Sequence, residues 1–239
     1  MATTNDSAHP NPVTAPQATI DLLKRLHVQS EEQEANIRLP DKNIGFGTNE
    51  VTVGDFKTIM SDKFIALDED KCQFMYQLIR ATGAKNIVEA GTSFGVSTIY
   101  LALAANANAA DVGGKAIVIG TEHEPEKAER AKRYWAEAGA GVSEAIDLRV
   151  GDLQETLKTN LPTVDFLLLD IWTPMALPAL KLCQPHMRPG AVILADNPIR
   201  SAEGYQELWA YIRAPGSGFQ SLCVPYSHGL EMIVYYPPK

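Results

Sequence analysis

Acidic residues in this chain fall at the ends of short apolar runs, where a sheet would present them to a ligand. Glu89 sits in "VEAGTSFGVSTIYLALA", Glu122 ends "IVIGTE", Asp152 follows "LRVG", Asp170 ends "DFLLLD", and Asp196 with Asn197 ends "AVILADN". The first stretch has the shape of a strand that turns through glycines into a helix. Gly91 and Gly95 let the chain turn tightly and let a ligand approach the backbone. The spacing is E-x-G-x-x-x-G, not the G-x-G-x-x-G that cradles a dinucleotide's pyrophosphate on helix amides. A carboxylate at Glu89 would repel a pyrophosphate and suits an amine or hydroxyl donor. That chemistry favours S-adenosylmethionine, which carries an ammonium and a sulfonium and no phosphate.

The next two acids extend the same reading. Glu122 at a strand terminus can accept from both hydroxyls of a ribose, or it can be a solvated surface acid. Gly151, Asp152 and Gln154 of "VGDLQ" fall where an adenine edge would lie, although Asp152 can equally cap the following helix. Asp170, Asp196 and Asn197 together offer two carboxylates and an amide oxygen. Such a hard oxygen set suits Mg²⁺ or another divalent cation, and the plainer alternative is that these residues cap loops.

These residues need a sheet to hold them. Strands are expected at 86–91, 116–121, 146–150, 165–170 and 191–196. Helices are expected between and after them, at 96–109, 125–138, about 153–159, about 177–186 and 202–213. Pro125 suits the first turn of its helix, with Gly139 and Gly141 after its end. Short apolar strands alternating with helices predict a parallel sheet covered on both faces. The final "FQSLCVPYSHGLEMIVYY" breaks the rhythm and predicts an antiparallel hairpin. The expected fold is therefore α/β: a Rossmann-like, doubly wound, seven-stranded sheet with one antiparallel strand.

Residues 1–18 are rich in Pro, Ala, Thr and Asn and are expected to form a disordered tail. Residues 19–66 read as a polar helix, 20–37, followed by loop and short helix around Gly45, Gly47 and Gly54. This segment is expected to wall the substrate pocket, together with the loop 198–203. The main domain is expected over 67–239, opening with a helix that carries Phe74, Leu78 and Ile79 on one face and stops at Gly83.

The chain has 239 residues, 45% of them hydrophobic, enough for a sizeable core. A net charge of −8 and a pI near 5.1 argue against a general partner in nucleic acid or an anionic membrane. No apolar run approaches the ~20 residues of a membrane span. Cys72, Cys183 and Cys223 form no C-x-x-C pair and read as reduced, buried thiols of a cytoplasmic protein.

The stretches "VEAGTSFGVSTIYLALA", "VIGTEHEPEKAERAKRYWAEAG", "VGDLQETL", "VDFLLLDIWTPMALPAL" and "RPGAVILADN" resemble successive motifs of the class I S-adenosylmethionine-dependent O-methyltransferases. The resemblance is to the branch of catechol and caffeoyl-coenzyme A O-methyltransferases and covers about residues 65–236. It implies Glu89, Gly91, Ser93 and Ser97 around the methionine moiety, Glu122 at the ribose, and Gly151, Asp152 and Gln154 near the adenine. It implies a divalent ion on Asp170, Asp196 and Asn197 that chelates vicinal hydroxyls of a small acceptor. Relatives include monomers and homodimers, so oligomeric state stays open.

One departure stands out. Relatives with "LDxWK" carry a lysine read as the general base, whereas this chain has "LDIWTP", with Thr173 there. Threonine cannot serve as that base. A bound cation could lower the acceptor's pKa instead, or His228 or Tyr226 in the hairpin turn could take the proton. Trp172 either walls the pocket or fills a crevice. Metal-independent methylation of an amine, carboxylate or other hydroxyl, a nicotinamide-dependent oxidoreductase, and a nucleoside-binding protein without turnover are the competing readings.

Overall fold

The computed structural model of the protein describes residues 10–36 and 63–238. The expected loop and short helix around Gly45, Gly47 and Gly54 lies outside them. The elements are α1 (Gln17–Ala35), α2 (Glu69–Thr82), β1 (Asn86–Ala90), α3 (Val96–Val112), β2 (Ile117–Glu122), α4 (Pro125–Ala138), α5 (Ala140–Ala145), β3 (Ile146–Val150), α6 (Leu153–Thr156), β4 (Val164–Leu169), α7 (Ala176–Cys183), β5 (Met187–Asp196), α8 (Gln206–Ile212), β6 (Phe219–Val224) and β7 (Leu230–Tyr235).

The strands form one seven-stranded sheet in the order β3-β2-β1-β4-β5-β7-β6. β1 pairs in parallel with β2 and β4, and β4 with β5. β7 runs antiparallel to both β5 and β6, so it is the one reversed strand. Alternate side chains of each strand go to opposite faces. Ile87, Val118, Phe166, Leu168, Val192 and Leu194 pack under α1 to α5. Val88, Ile119, Leu167, Leu169, Ile193 and Ala195 pack under α6 to α8. Strand order reverses between β1 and β4. In a doubly wound sheet the ligand crevice opens at the carboxyl ends of such a pair.

Local sequence explains the helices. α4 starts at Pro125, which fixes φ for a first helical turn, and buries Ala128, Ala131, Trp135 and Ala138 along one stripe. α2 ends at Gly83 with φ +65°, the left-handed conformation that a helix stop favours. Its buried face is Lys71, Cys72, Met75, Tyr76 and Ile79, while Phe74 and Leu78 are only partly buried.

Several expectations need correction. Residues 10–18 are not a disordered tail: Val13 is buried, the Thr14 amide donates to the Tyr76 hydroxyl, and α1 begins at Gln17. β5 begins at Met187 rather than 191. Met187 pairs with Val164, and the register shift beyond that pair accommodates Pro189, which has no N–H to give. α4 does end at Ala138, before Gly139 as expected, and the short α5 follows at once. Cys223 is exposed on the edge strand β6, unlike buried Cys72 and Cys183; all three are free thiols. No helix among the described residues is long and apolar enough to cross a membrane.

Candidate functional site

The turn after β1 is built under steric constraint. A Cβ on Gly91 would lie 2.0 Å from the Asp170 carbonyl oxygen, so only glycine lets β1 and β4 close this tightly at the strand-order reversal. Gly95 has φ +75° and carries α4's Trp135 against it, with the indole N–H donating to its carbonyl at 2.9 Å. Ser93 between them is itself left-handed, at φ +49°.

Glu89 lies beneath this turn rather than in the pocket. It has no solvent exposure, and its oxygens accept from the hydroxyls of Thr92 (2.8 Å), Ser97 (2.6 Å) and Thr98 (2.6 Å). Burial raises its pKa, and the three hydroxyl bonds oppose that rise. Glu89 therefore stands behind the pocket wall, while Ser97, which donates to it, lines the pocket itself. The bond between them braces the loop from below.

Glu122 is placed differently. It is partly exposed at the end of β2, and its two oxygens accept from the backbone amides of Ser93 (2.7 Å) and Glu124 (2.8 Å). Its carbonyl accepts from Gly151 N–H at 2.8 Å. The ends of β1, β2 and β3 thus meet at one residue, whose carboxylate keeps lone pairs for further donors. Asp152 caps α6 by accepting from the Gln154 amide at 2.9 Å, and both side chains are exposed. A pocket lined by Ile65, Ala66, Leu67, Gly91, Ser93 and Asp170 opens above the β1 turn. Its roof is the strap 63–68, held by Phe64, which is buried and stacked on Phe94 with ring centroids 4.6 Å apart.

At the ends of β4 and β5 the structure brings Asp170, Asp196 and Asn197 together, with a fourth group that sequence reasoning missed. Lys71, in the first turn of α2, is 1% exposed. Its ammonium lies 2.7 Å from Asp196 Oδ1, 3.0 Å from Asp68 Oδ2 and 3.5 Å from Asn197 Oδ1. The Asn197 amide nitrogen donates to the other Asp196 oxygen, and Asn197 takes φ +56° to do so. Burial alone would lower the Lys71 pKa, but the Asp196 carboxylate, helped by Asp68, holds it above the ordinary value. Burial, then the charges of Asp196 and Glu89, push Asp170 well up.

The implied divalent ion does not fit this cluster. Two of the three implied ligands, Asp196 and Asn197, already face an ammonium, and a dication there would sit beside a like charge.

The remaining candidates take structural places. Thr173 opens a short 3₁₀ turn, and its side chain fills the space where a Cβ on Gly204 would be. Trp172 precedes it, half-buried, its carbonyl accepting from Met175 N–H. His228 has φ +58° at the β6–β7 turn; its side chain is exposed, and its carbonyl accepts from Ile199 N–H at 3.1 Å. Tyr226 packs on Phe74, with centroids 5.7 Å apart.

Residues 88–197 match the family model described as a methyltransferase domain. The chain is similar to a catechol O-methyltransferase of Niastella koreensis, 28% identical over 147 residues, or 60% of this chain and 62% of that one. It is also similar to a catechol O-methyltransferase of Mycobacterium tuberculosis, 31% identical over 137 residues, 57% and 58% of the two chains. The chain thus spans about three fifths of these relatives' own lengths. Its fold resembles that of an O-methyltransferase from Bacillus cereus solved in complex with SAH. The TM-score is 0.66 at 19% identity, covering 97% of this chain and 94% of that one.

Proposed function

We propose that this protein transfers the methyl group of S-adenosylmethionine to an oxygen of a small phenolic molecule. The observation that carries the reading is Glu122, a partly exposed carboxylate placed where the ends of β1, β2 and β3 meet, inside the stretch that matches a methyltransferase domain. An acid there suits the two hydroxyls of a ribose, and the E-x-G-x-x-x-G spacing of the preceding turn departs from that of a pyrophosphate site. The catechol O-methyltransferases among the relatives support a hydroxylated aromatic acceptor, and the SAH in the Bacillus cereus structure supports the methyl donor.

When bound, the donor would supply a methyl carbon that the acceptor oxygen attacks in line: the new C–O bond forms as the C–S bond breaks, the electron pair stays on sulfur to give S-adenosylhomocysteine, and the acceptor's proton passes to water. The chain's own contribution is placement. Gly91 lets a ligand approach the crevice between β1 and β4, and the first amides of α3 face a ligand carboxylate. Glu122 holds the ribose, and the strap at 65–67 covers the pocket. Asp170 lines the same pocket. No step runs through a metal ion.

Calorimetry with S-adenosylhomocysteine and with NAD⁺, followed by methyl-transfer assays over a panel of phenols, tests the reading. Tight binding of S-adenosylhomocysteine and methylation of a phenol are expected. Binding of NAD⁺ alone would overturn it.

A further inference from the structure

We propose that the Lys71 ammonium is a built-in replacement for a divalent cation, so that the β4–β5 strand ends bind no metal and the methyl acceptor needs no pair of adjacent oxygens. The part concerning the acceptor rests on the function proposed above; the part concerning the metal does not.

The argument is one of donors and acceptors. An ammonium has three protons and no other way to be satisfied when buried. Lys71 finds three oxygens, on Asp196, Asp68 and Asn197, at 2.7, 3.0 and 3.5 Å. Two of these residues close β5, where the sequence offers a metal ion its donors. The second Asp196 oxygen is occupied by the Asn197 amide. A small dication demands oxygens at about 2.0–2.1 Å in near-octahedral array. It could claim these only by expelling the lysine.

Expulsion is opposed by the way Lys71 is installed. Its neighbours along the buried face of α2 are Cys72, Met75 and Ile79, each without solvent exposure, so the side chain cannot swing into water without disturbing the core. A cation in the first turn of a helix is also disfavoured by the helix dipole. Its presence there is explained by the acids around it: Asp68 just before the helix and Asp196 across from it. The charge that a metal would bring is already present. A metal ion's further service is to hold two vicinal oxygens of an acceptor, and an enclosed ammonium offers no open coordination positions for that. A phenol with a single hydroxyl is then as good an acceptor as a catechol.

The test titrates Mn²⁺ into the protein and follows free Mn²⁺ by electron paramagnetic resonance, with thermal melts in Mg²⁺ and in EDTA. The wild-type chain is expected to bind no Mn²⁺ at sub-millimolar concentration and to melt identically in both. Lys71→Ala frees the carboxylates and is expected to bind one Mn²⁺ per chain and to melt higher with it; Lys71→Arg keeps the cation and is expected to bind none. Stoichiometric Mn²⁺ on the wild type, lost in Asp196→Ala, would overturn the proposal, and this arm decides even if Lys71→Ala does not fold. A folded Lys71→Ala that takes no Mn²⁺ would also overturn it. Methylation of a monophenol undiminished in EDTA supports the acceptor half, and turnover that stops in chelator refutes it. Failure to bind S-adenosylhomocysteine strikes the methyltransferase reading alone and leaves the Mn²⁺ result standing.

Discussion

Lys71 and Asp196, 125 residues apart in the chain, meet at 2.7 Å with both side chains almost entirely removed from water. The contact ties the first turn of α2 to the carboxyl end of β5. Removing one partner leaves the other charge buried and unpaired, which costs about 3–5 kcal/mol. Lys71→Met is therefore expected to be strongly destabilising in urea unfolding at neutral pH. The double variant Lys71→Met, Asp196→Leu is expected to recover much of that loss, because the two buried partners are removed together and Asp68, the remaining partner, is partly exposed. A single variant costing less than about 1 kcal/mol would show that the pair is solvated in solution.

Glu122 is expected to be a binding residue whose loss reaches the cofactor. Hydrogen bonds to a charged group contribute roughly 1.5–3 kcal/mol, so Glu122→Ala is expected to weaken S-adenosylhomocysteine by ~10- to 100-fold in calorimetry. Glu122→Gln keeps an acceptor oxygen for Ser93 N–H and is expected to lie between the two. Unchanged affinity in both variants would remove Glu122 from the site.

Gly91 and Gly83 separate steric need from conformational preference. Both have positive φ, but a Cβ at Gly83 meets nothing within 4 Å, whereas one at Gly91 meets the Asp170 carbonyl. Gly83→Ala is expected to cost about 1–2 kcal/mol, the left-handed penalty alone. Gly91→Ala adds a backbone collision worth a further ~1–3 kcal/mol and is expected to abolish S-adenosylhomocysteine binding. Equal melting temperatures for the two variants would contradict the close packing of β1 on β4.

Strands β1, β2, β4 and β5 were readable because each is a short apolar run ended by Gly or an acid, and burial on both faces of a parallel sheet demands that composition. The reversal of β7 was readable in the broken rhythm after Phe219. Lys71 was not, because "LDEDKCQF" looks like a solvated helix start. The signal was its phase: Lys71, Met75 and Ile79 are spaced by four on one helix face, so a lysine shares the apolar stripe. For Glu89 the sequence showed the position but not the direction. Its hydroxyl partners Thr92, Ser97 and Thr98 stand three, eight and nine residues on, a pattern that could have marked it as braced from within. β5's start was hidden because Pro189 and Gly190 look like a turn, and only the irregular register opposite Val164 lets the strand run through them.

His27 offers a pH test away from the site. It is buried on α1, with Nε2 2.9 Å from the Tyr100 hydroxyl. Burial lowers its pKa from 6.5 to about 4, against a smaller upward pull from Asp68 and Asp70. The folded chain therefore keeps His27 neutral while the unfolded chain takes up a proton. This contribution to stability is fully present above pH 6.5 and is lost as the pH falls toward 4, at up to about 1.4 kcal/mol per pH unit. Glu89 and Asp170, whose pKa values are raised, act in the opposite sense, because they hold protons more tightly when folded. The wild-type profile alone mixes these effects, so the comparison must be with His27→Gln, which cannot titrate. Between pH 7 and pH 5 the wild type is expected to lose about 2 kcal/mol more than the variant in urea unfolding. Parallel profiles for the two proteins would mean that His27 is protonated as readily in the folded chain as in the unfolded one.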